Sequence, residues 1–569
     1  MTALALAPSV AHAATFTVNA WDDAESDGSC DPFIPGPPPR VDCTLRDAID
    51  ASNNTGASDT IVIGPIVEPG FPGFLSFSRL GSSEDGNATG DFDIVENTAG
   101  LTLTIQGSNI DVADVTQTDR IFHTLPTNAG AGQHHVDLTV NDTPLRWGLP
   151  PFGEDGGCIL AEEGHLTVNT STLTECATRD TSYTPGQGGG AIAALGGLDL
   201  NGVQISQNSA QPGDGGGVLV QGDLTVNQSA FGLNNAGGGH GGAVAWLGNG
   251  HSADISDSGF GDNTSAGDGG GLYLDDRGAG GDISLTDVNL DFNESTAGDG
   301  GAFWIHAAST ELLRVASGNN TSRASGGVGG RGGGGVIVPG SPTTAPLVDR
   351  SSFYENTSDD DGGGLFIHTA NGTSTGTHII RNTTLGGNEC GTGGQGCGLS
   401  MDDGAFGPPG SPTVTVELEH CTVAQNQRST GGDYNALDVN GANADLEYEN
   451  SIIEGECFGT VTSLGGNVLH SSAFPTFSGC DDSGTGDFMP SVVGALADSL
   501  WDDGASPPNP MPPTLVTSTP LPYYQLDDGS SFLLDAVDSV TCPTAVTVDQ
   551  LGGARPTTPG TCDAGSIED

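Results

Sequence analysis

Five aspartates stand directly before glycine pairs or triplets, and these are the residues of the chain best suited to do chemistry. They are Asp155, Asp214, Asp268, Asp299 and Asp361. If Asp268 and Asp299 occupy equivalent positions of consecutive repeats, their carboxylates would lie about 5 Å apart, the spacing of neighbouring strands. Two like charges at that distance repel unless they face water, bind a cation or share a proton.

Each of these three outcomes predicts a different role for the aspartates. Exposure to water would make them a solvated face without a chemical task. Binding of Ca²⁺, which prefers carboxylate and carbonyl oxygens, would make Asp268 and Asp299 a calcium site. A shared proton would suit a retaining glycosidase, whose two carboxyl groups lie about 5 Å apart, with Asp268, Asp299 and Asp361 along one groove.

Histidine and arginine add two further candidates. The tripeptide G-H-G around His240 is similar to a motif of the polygalacturonases, but the partner phrases N-T-D and R-I-K are absent, so we interpret His240 as part of a turn. Arginines in successive repeats could bind an anion or act as a lyase base: Arg277, Arg314, Arg323 and Arg331. Because 72 acidic residues face 14 basic ones, all arginine, we expect them to form local ion pairs instead.

The glycine phrase recurs along the chain at intervals of 25 to 34 residues. The first residues after the glycines are Cys158, Ala191, Val218, Ala243, Leu272, Ala302, Val336, Leu365 and Leu399. Between these turns an apolar or small residue is followed three positions later by asparagine. These pairs are Ile205/Asn208, Phe231/Asn234, Phe260/Asn263, Leu290/Asn293, Ala316/Asn319, Phe353/Asn356, Leu385/Asn388 and Val423/Asn426.

Short alternating segments with β-branched residues separate the turns, and none has a helical period. This pattern predicts an all-β fold, a single-stranded right-handed parallel β-helix in which each repeat forms one coil. Phe231, Phe260, Leu290 and Phe353 would then be core rungs. The matching asparagines, Asn234, Asn263, Asn293 and Asn356, would pass amide hydrogen bonds from coil to coil.

Both ends of such a stack need caps, because open strand edges promote aggregation. The segment "CTLRDAIDASNN" has capping-box spacing between Thr44 and Asp47, and Leu45, Ala48 and Ile49 lie on one helical face. We therefore expect a short amphipathic helix over the first coil and a C-terminal cap region at the other end.

Composition limits the function classes. A formal net charge of -58 argues against nucleic acid and anionic membranes as partners, and no apolar run is long enough for a transmembrane helix. An apolar stretch at the start of the chain is followed by Ala11-His12-Ala13, which is typical of a signal-peptide cleavage site. Cysteines that lie close in sequence suggest structural disulfides: Cys30/Cys43, Cys158/Cys176, Cys390/Cys397, Cys457/Cys480 and Cys542/Cys562.

Three segments resemble known families. "CTLRDAIDASN" resembles the CSLREA motif near the start of exported bacterial β-helix proteins, and the G-G-apolar and F-x-x-N phrases are similar to repeats of chlamydial polymorphic outer membrane proteins. The tail, with "DQLGGARP" and "CDAGSIED", resembles the choice-of-anchor Q type of C-terminal region, although Leu551 and Ser566 depart from its usual pattern. The resemblance implies a secreted or cell-surface β-helix protein, in some members associated with the outer membrane.

From these observations we expect four segments: a signal peptide at 1–13, a CSLREA-like cap at 14–57, β-helix repeats at 58–450 and an anchor-like region at 451–569. The leading hypothesis is an exported, monomeric, adhesin-like protein that presents loops to a polysaccharide, a matrix or another cell. It needs no cofactor, with Ca²⁺ as the one candidate ion. The alternative is a polysaccharide lyase or glycoside hydrolase that uses Asp268, Asp299 and Asp361.

Overall fold

The computed structural model describes most of the chain between residues 12 and 470. The described ranges are 12–21, 43–64, 74–77, 89–95, 100–126, 136–276, 280–340, 347–369, 376–402, 414–429, 434–441 and 444–470, with residues 30, 87, 480, 484, 487, 515–516 and 523–524. Residues 1–235 form one compact unit and residues 236–569 a second.

The first unit contains one helix, Leu45–Asn53, and four sets of strands. Sheet A comprises Thr15–Val18, Asp59–Ile63, Leu101–Gln106, Val136–Asn141, His165–Asn169, Gly197–Asn201 and Leu224–Asn227. Sheet B comprises Phe74–Phe77, Asp111–Asp114, Leu145–Arg146, Thr172–Thr174, Gln204–Ser206 and Ala230–Gly232. Sheet C comprises Phe92–Ile94, Phe122–Thr124, Ile159–Ala161, Ile192–Ala194 and Val218–Val220. Sheet D comprises Ala177–Arg179 and Ser209–Gln211.

The second unit repeats this arrangement in sheets A′ to D′. Sheet A′ comprises Ala253–Ser256, Asp282–Thr286, Ser309–Leu313, Val348–Asp349, Gly376–Arg381, Val414–Glu419, Ala444–Glu449 and Val461–Gly465. Sheet B′ comprises Gly259–Gly261, Asn289–Asp291, Ala316–Gly318, Ser352–Tyr354, Thr384–Gly386, Thr422–Ala424, Ile452–Glu454 and Val468–His470. Sheet C′ comprises Val244–Leu247, Leu272–Asp275, Phe303–His306, Gly335–Val338, Leu365–His368, Leu399–Asp402, Asn435–Asn440 and Glu456–Phe458. Sheet D′ comprises Thr264–Ser265, Glu294–Ser295, Thr321–Ser322, Thr357–Ser358, Glu389–Cys390 and Gln427–Arg428.

Five further short strands of the described residues lie outside these sheets or at their boundary. Asn235–Ala236 spans the division between the units, and Ala324–Ser325 pairs antiparallel with Val328–Gly329. Leu515–Val516 pairs antiparallel with Tyr523–Tyr524.

Within each unit, the strands of the long sheets pair in parallel with the strands one coil away, which confirms the parallel β-helix. The core consists of like side chains stacked in register: Leu166 pairs with Leu198 and then Leu224 in sheet A, and all three are buried. The residues between them, such as Thr167, alternate to the outer face. The period-2 pattern of the sequence therefore sets which side of each strand is buried.

The asparagines form a buried ladder along the turn that follows sheet B′. Nδ2 of Asn263 donates to Oδ1 of Asn293 at 3.0 Å, and Asn356 and Asn388 repeat the contact at 3.0 Å. In the first unit Asn208 donates to Asn234 in the same way. The core rungs beside the ladder, Phe231, Phe260, Leu290 and Phe353, are all buried.

One member of the ladder was assigned wrongly from the sequence. Asn293 donates to Asn320, not to Asn319, and Ser317 rather than Ala316 is in register with Leu290. Asn319 instead takes a left-handed conformation, with φ 55°, at the corner before the ladder residue. Two asparagines stand in tandem, and Ser317 occupies the rung where other coils have an apolar residue. Spacing alone therefore could not show which of Asn319 and Asn320 belongs to the ladder.

The glycine turns are dictated by close packing of the backbone. Gly269 has φ 67°, and a Cβ there would collide with the carbonyl of Leu272. A Cβ on Gly270 would collide with the carbonyl of Gly301 one coil away. Both positions therefore require glycine, one for its conformation and the other for the short distance between coils.

The predicted N-terminal helix is confirmed and carries a complete capping box. Asp47 N–H donates to the Thr44 hydroxyl, while the Thr44 N–H donates to the Asp47 carboxylate. Arg46 of this helix is fully buried, and its guanidinium donates to the carbonyls of Gly90 and Asp91 at 2.8 and 3.0 Å. The helix thus fixes the segment that enters the first strand of sheet C.

Four of the five expected cysteine pairs lie within disulfide-bonding distance: Cys30/Cys43, Cys158/Cys176, Cys390/Cys397 and Cys457/Cys480. The pair Cys542/Cys562 lies outside the described residues. Cys421, which belongs to none of these pairs, is buried, and its thiol donates to the Ile380 carbonyl at 3.3 Å.

The coils extend beyond the expected repeat region of 58–450. Thr15–Val18 already pairs with the strand at Asp59–Ile63, and Val468–His470 still pairs with Ile452–Glu454. Most of the expected signal peptide and of the anchor-like region lies outside the described residues. Within the described part of the chain, no helix has the length and apolarity needed to span a bilayer.

Candidate functional site

Three of the five aspartates that precede glycines, Asp268, Asp299 and Asp361, line up in one column at the turn that enters sheet C′. The strands of that sheet pair in register, so the residues that lie four positions before the first residue of each strand are aligned as well. The column therefore comprises His240, Asp268, Asp299, Arg331, Asp361 and Gln395. We call these residues the turn column.

Most side chains of the turn column accept a main-chain hydrogen bond from the next coil. The N–H of Asp299 donates to Asp268 Oδ1 at 2.8 Å, and that of Arg331 donates to Asp299 Oδ1 at 3.0 Å. Asp361 accepts from Gln395 N–H at 2.7 Å. In the first unit Asp155 accepts from Gly188 N–H at 2.8 Å. The carboxylates therefore tie one glycine turn to the next.

Arg331 and His240 lie opposite carboxylates of the turn column. Arg331 Nη2 lies 2.9 Å from Asp299 Oδ2. His240 Nδ1 accepts from the N–H of Asp268 at 2.9 Å and lies 3.5 Å from Asp268 Oδ2. Burial raises the pKa of Asp268 above its ordinary value, and the nearby His240 opposes this shift only in part. Burial also raises the pKa of Asp361.

The expected local pairing of the arginines is confirmed where the chain is described. Arg314 Nη2 lies 2.6 Å from Asp287 Oδ2, and Arg323 pairs with Glu294. Together with Arg331 and Asp299, these contacts leave no continuous anion-binding strip at the three described positions. Arg277 lies outside the described residues.

Aromatic rings stack beside the turn column on the outer face of sheet C′. The rings of Tyr273 and Trp304, which are register partners, lie 4.9 Å apart and nearly parallel. His240 stacks on the other side of Tyr273 at 4.5 Å, and His306 meets Trp304 edge-on at 6.0 Å. These four residues form what we call the ring strip.

A carboxylate joins two members of the ring strip. Asp275 accepts from the Tyr273 hydroxyl at 3.4 Å and lies 3.1 Å from Nδ1 of His306. Tyr273, Trp304, His306 and Asp275 are each partly exposed. The strip therefore presents ring edges, an imidazole and a carboxylate together, a set that can contact both apolar and hydrogen-bonding parts of a ligand.

Sequence reasoning missed a cluster in the first unit. Asp93 and His123 are register partners on the face of sheet C where Asp91 also lies, and Asp119 and Arg120 precede the second strand. All five side chains are buried. We call Asp91, Asp93, Asp119, Arg120 and His123 the buried polar cluster. The cluster precedes the first glycine phrase, so the spacing of the repeats could not align its residues. The one sequence signal is the alternation of polar and apolar residues in "DFD" and "RIFH".

Charge is crowded in the buried polar cluster. Burial, followed by repulsion from Asp93 and Asp119, raises the pKa of Asp91 to about 8. Burial raises the pKa of Asp119 to about 6. Burial lowers the pKa of His123, but the carboxylates of Asp93 and Glu162 outweigh it and raise the pKa to about 9.

Arg120 complicates the protonation of His123. Nη1 of Arg120 lies 3.1 Å from Nδ1 of the imidazole, while Asp93 Oδ1 lies 3.5 Å from the same nitrogen. A guanidinium donates to Nδ1 only when that nitrogen carries no proton. Nδ1 therefore accepts from Arg120 in the neutral imidazole and faces Asp93 with a proton in the charged one.

A third group of carboxylates, Glu417, Glu419 and Glu449, lies on sheet A′ with oxygens close enough to hold a cation. All three are partly exposed, and nothing else in the structure points to a ligand there. Asp268 and Asp299 are not among the groups of three or more ligating residues found in the described chain. Calcium at that pair stays a prediction.

Comparison with known proteins adds no identity. No family model, no curated protein and no solved structure matches the chain.

Proposed function

We propose that the protein is an exported β-helix protein, secreted or held at the cell surface, that binds a polysaccharide along the ring strip without cleaving it. The observation that carries this proposal is the partly exposed stack of Tyr273 and Trp304, flanked by Asp275 and His306. Export is supported by the cysteine pairs, by the resemblance of the N-terminal segment to CSLREA proteins and by the acidic composition.

A sugar polymer fits the chemistry of the strip. Pyranose hydroxyls donate to a carboxylate such as Asp275, while the C–H groups of the ring need apolar contact, which Tyr273 and Trp304 provide at their exposed edges. Tyrosine, tryptophan and arginine are the side chains enriched at binding surfaces. A stack of coils also presents an extended surface, which suits an extended ligand.

Binding without cleavage is supported by the turn column. Asp268, Asp299 and Asp361 each accept a main-chain hydrogen bond from the next coil, and Asp299 is also paired with Arg331. Asp299, whose carboxylate has both partners, is thereby a poor nucleophile. These contacts instead give the aspartates a structural task.

The alternative function is cleavage of a polysaccharide by the turn column. Burial raises the pKa of Asp268 and of Asp361, and a raised pKa is the direction of shift that a carboxyl group needs to act as a general acid. His240, 3.5 Å from Asp268, would then act beside it.

Glycan-array binding with the purified chain tests the leading proposal. We expect the Trp304→Ala and Tyr273→Ala variants to lose binding at least tenfold, since each removes half of the stack. Phe292→Ala is the matched control, because Phe292 is 57% exposed and lies outside the ring strip. Equal binding by all variants, or an equal loss in the control, would refute the proposed site.

Product analysis separates the two functions. The chain is incubated with the glycans that it binds, and new reducing ends and unsaturated products are measured. Under the leading proposal none form, and Asp268→Asn leaves binding unchanged. If products form and Asp268→Asn abolishes their formation, the protein cleaves polysaccharides and the leading proposal is wrong.

A further inference from the structure

We propose that the buried polar cluster of the first unit is a binding site for a divalent transition-metal ion, held by Asp91, Asp93 and His123. This site is separate from the ring strip and does not depend on the proposed glycan binding. It is supported by the placement of three ligating atoms and by one buried carboxylate oxygen that accepts no hydrogen bond.

The three candidate ligands converge. One ligating atom from each of Asp91, Asp93 and His123 lies within 4.8 Å of the others. Their side chains are 4%, 0% and 7% exposed, so bulk water does not solvate them. Ligands on a tetrahedral metal at about 2 Å are separated by 3 to 4 Å, which this spacing nearly meets without movement of the backbone.

Asp93 supplies the independent sign of a ligand. Its Oδ2 accepts from the N–H of Asn87 at 2.9 Å, but its Oδ1 has no hydrogen-bond partner among the described residues. That oxygen is fully buried and points at the imidazole, 3.5 Å from Nδ1 of His123. A buried carboxylate oxygen that accepts no hydrogen bond is costly, and a bound cation would lower that cost.

Arg120 contacts the buried polar cluster through Nη1. Three buried carboxylates, those of Asp91, Asp93 and Asp119, lie beside this guanidinium, while Arg120 Nη2 contacts Glu154. Nη1 of Arg120 lies 3.3 Å from Asp91 Oδ2. A bound ion would therefore share the Asp91 carboxylate with Arg120.

The backbone around the ligands is held from two sides. Arg46 binds the carbonyl of Asp91 at 3.0 Å, and Asn53 Nδ2 donates to the carbonyl of Asp93 at 2.9 Å, both from the N-terminal helix. Beyond His123, the Nε2 atom lies 3.1 Å from Glu162, which orients the ring so that Nδ1 faces the carboxylates. A ligand imidazole held by a carboxylate is the usual outer shell of a metal site.

The ligand set selects the kind of ion. One imidazole nitrogen with two carboxylate oxygens suits Zn²⁺ or Mn²⁺, whereas Ca²⁺ favours a shell of oxygens alone. Arg120 stands 3.3 Å from Asp91 and 3.1 Å from Nδ1, so its Nη1 atom occupies space that the ion needs. The ion and Arg120 should therefore compete.

Calorimetric titration of the full chain, freed of metal by chelation, tests the site with Zn²⁺ and with Ca²⁺. We expect one Zn²⁺ per chain with micromolar or tighter affinity and far weaker Ca²⁺ binding. Asp93→Asn and His123→Gln should each weaken Zn²⁺ at least 100-fold, because each removes one of three ligands. His165→Gln removes another histidine beside an aspartate, Asp199, outside both proposed sites, and should leave Zn²⁺ binding unchanged.

Arg120→Gln separates metal binding from a purely structural role. If the ion competes with the guanidinium, this variant binds Zn²⁺ about tenfold more tightly than the wild type, a result that loss of structure would not give. Failure of the wild-type chain to bind Zn²⁺ overturns the proposal even if a variant does not fold. Binding that survives both Asp93→Asn and His123→Gln overturns it as well. Glycan binding is unaffected in either case.

Discussion

The side-chain amide of Asn293 donates to Oδ1 of Asn320 at 3.0 Å and to the carbonyl of Phe260 at 3.0 Å. Its own Oδ1 accepts from Nδ2 and N–H of Asn263 at 3.0 and 3.2 Å. Each polar atom of the amide is thus satisfied without water. We expect this ladder to contribute stability out of proportion to its size, because an unmet buried polar group costs about 1 to 3 kcal/mol.

Replacement of one ladder residue tests that expectation. Asn293→Ala removes the amide that accepts from Asn263 and donates to the Phe260 carbonyl, so we expect it to lower the free energy of unfolding by about 3 kcal/mol. Thermal unfolding followed by circular dichroism measures the effect. Asn289→Ala is the matched control, because Asn289 is an exposed asparagine of the same coil and should change stability by less than about 0.5 kcal/mol. Similar losses in the two variants would contradict the role of the ladder.

The repeat phrases predicted the coils and most of the ladder because each coil of a solenoid carries the same sequence pattern at a similar interval. Where a phrase degenerates, prediction fails: Ser317 replaces the apolar rung, and spacing alone selected Asn319 instead of Asn320. The hydroxyl of Ser317 is satisfied by the Gly334 carbonyl at 2.8 Å, so the core accepts a polar rung that no hydrophobic pattern reveals.

The candidate sites were less predictable than the coils. Sequence placed Asp268 and Asp299 in one column correctly, but it could not show that Asp299 would donate its N–H to Asp268 and pair with Arg331. The ring strip was missed because Tyr273 and Trp304 lie in separate repeats, and only strand register brings them together. Such contacts depend on alignment between coils rather than on local spacing.

Arg46 is expected to be the strongest single anchor of the N-terminal helix. Its guanidinium is buried and donates to Gly90, Asp91 and Asn87, so Arg46→Gln should cost roughly 3 kcal/mol or more of unfolding free energy. Arg323→Gln serves as the comparison, since Arg323 is 53% exposed in an ion pair with Glu294. That variant should lose no more than about 1 kcal/mol. Thermal unfolding that ranks the two variants in the reverse order would refute the anchor.

Glu419 should make stability depend on pH. Burial, with repulsion from Glu417 and Glu449, raises its pKa from the ordinary 4.5 to about 7. The folded chain therefore holds a proton that the unfolded chain has lost, and this group's contribution to stability falls as the pH rises from about 4.5 to about 7. We expect Glu419→Gln to melt at the wild-type temperature near pH 4 and to be roughly 1 kcal/mol more stable at pH 8, after allowance for partial exposure.

The control for this pH dependence is Glu311→Gln. Glu311 also lies on sheet A′, but its register partner is Ser284 rather than another carboxylate. A Glu419→Gln variant whose stability changes with pH no differently from that of Glu311→Gln would mean that the Glu419 carboxylate gains no proton on folding.

Calcium at Asp268 and Asp299 can be tested through Arg331. The guanidinium lies 2.9 Å from Asp299 Oδ2 and occupies the oxygen that an ion would need. Removal of this competing charge in Arg331→Gln leaves Asp299 with only the main-chain hydrogen bond at Oδ1, so an ion would gain a free carboxylate oxygen. We expect added Ca²⁺ to raise the melting temperature of Arg331→Gln more than that of the wild type, and Asp299→Asn in the same background to cancel the difference.

Arg314→Gln, which breaks a comparable ion pair with Asp287 away from the turn column, should respond to Ca²⁺ as the wild type does. If Ca²⁺ raises the melting temperature of Arg331→Gln no more than that of Arg314→Gln, the aspartates of the turn column join the coils through hydrogen bonds rather than through an ion.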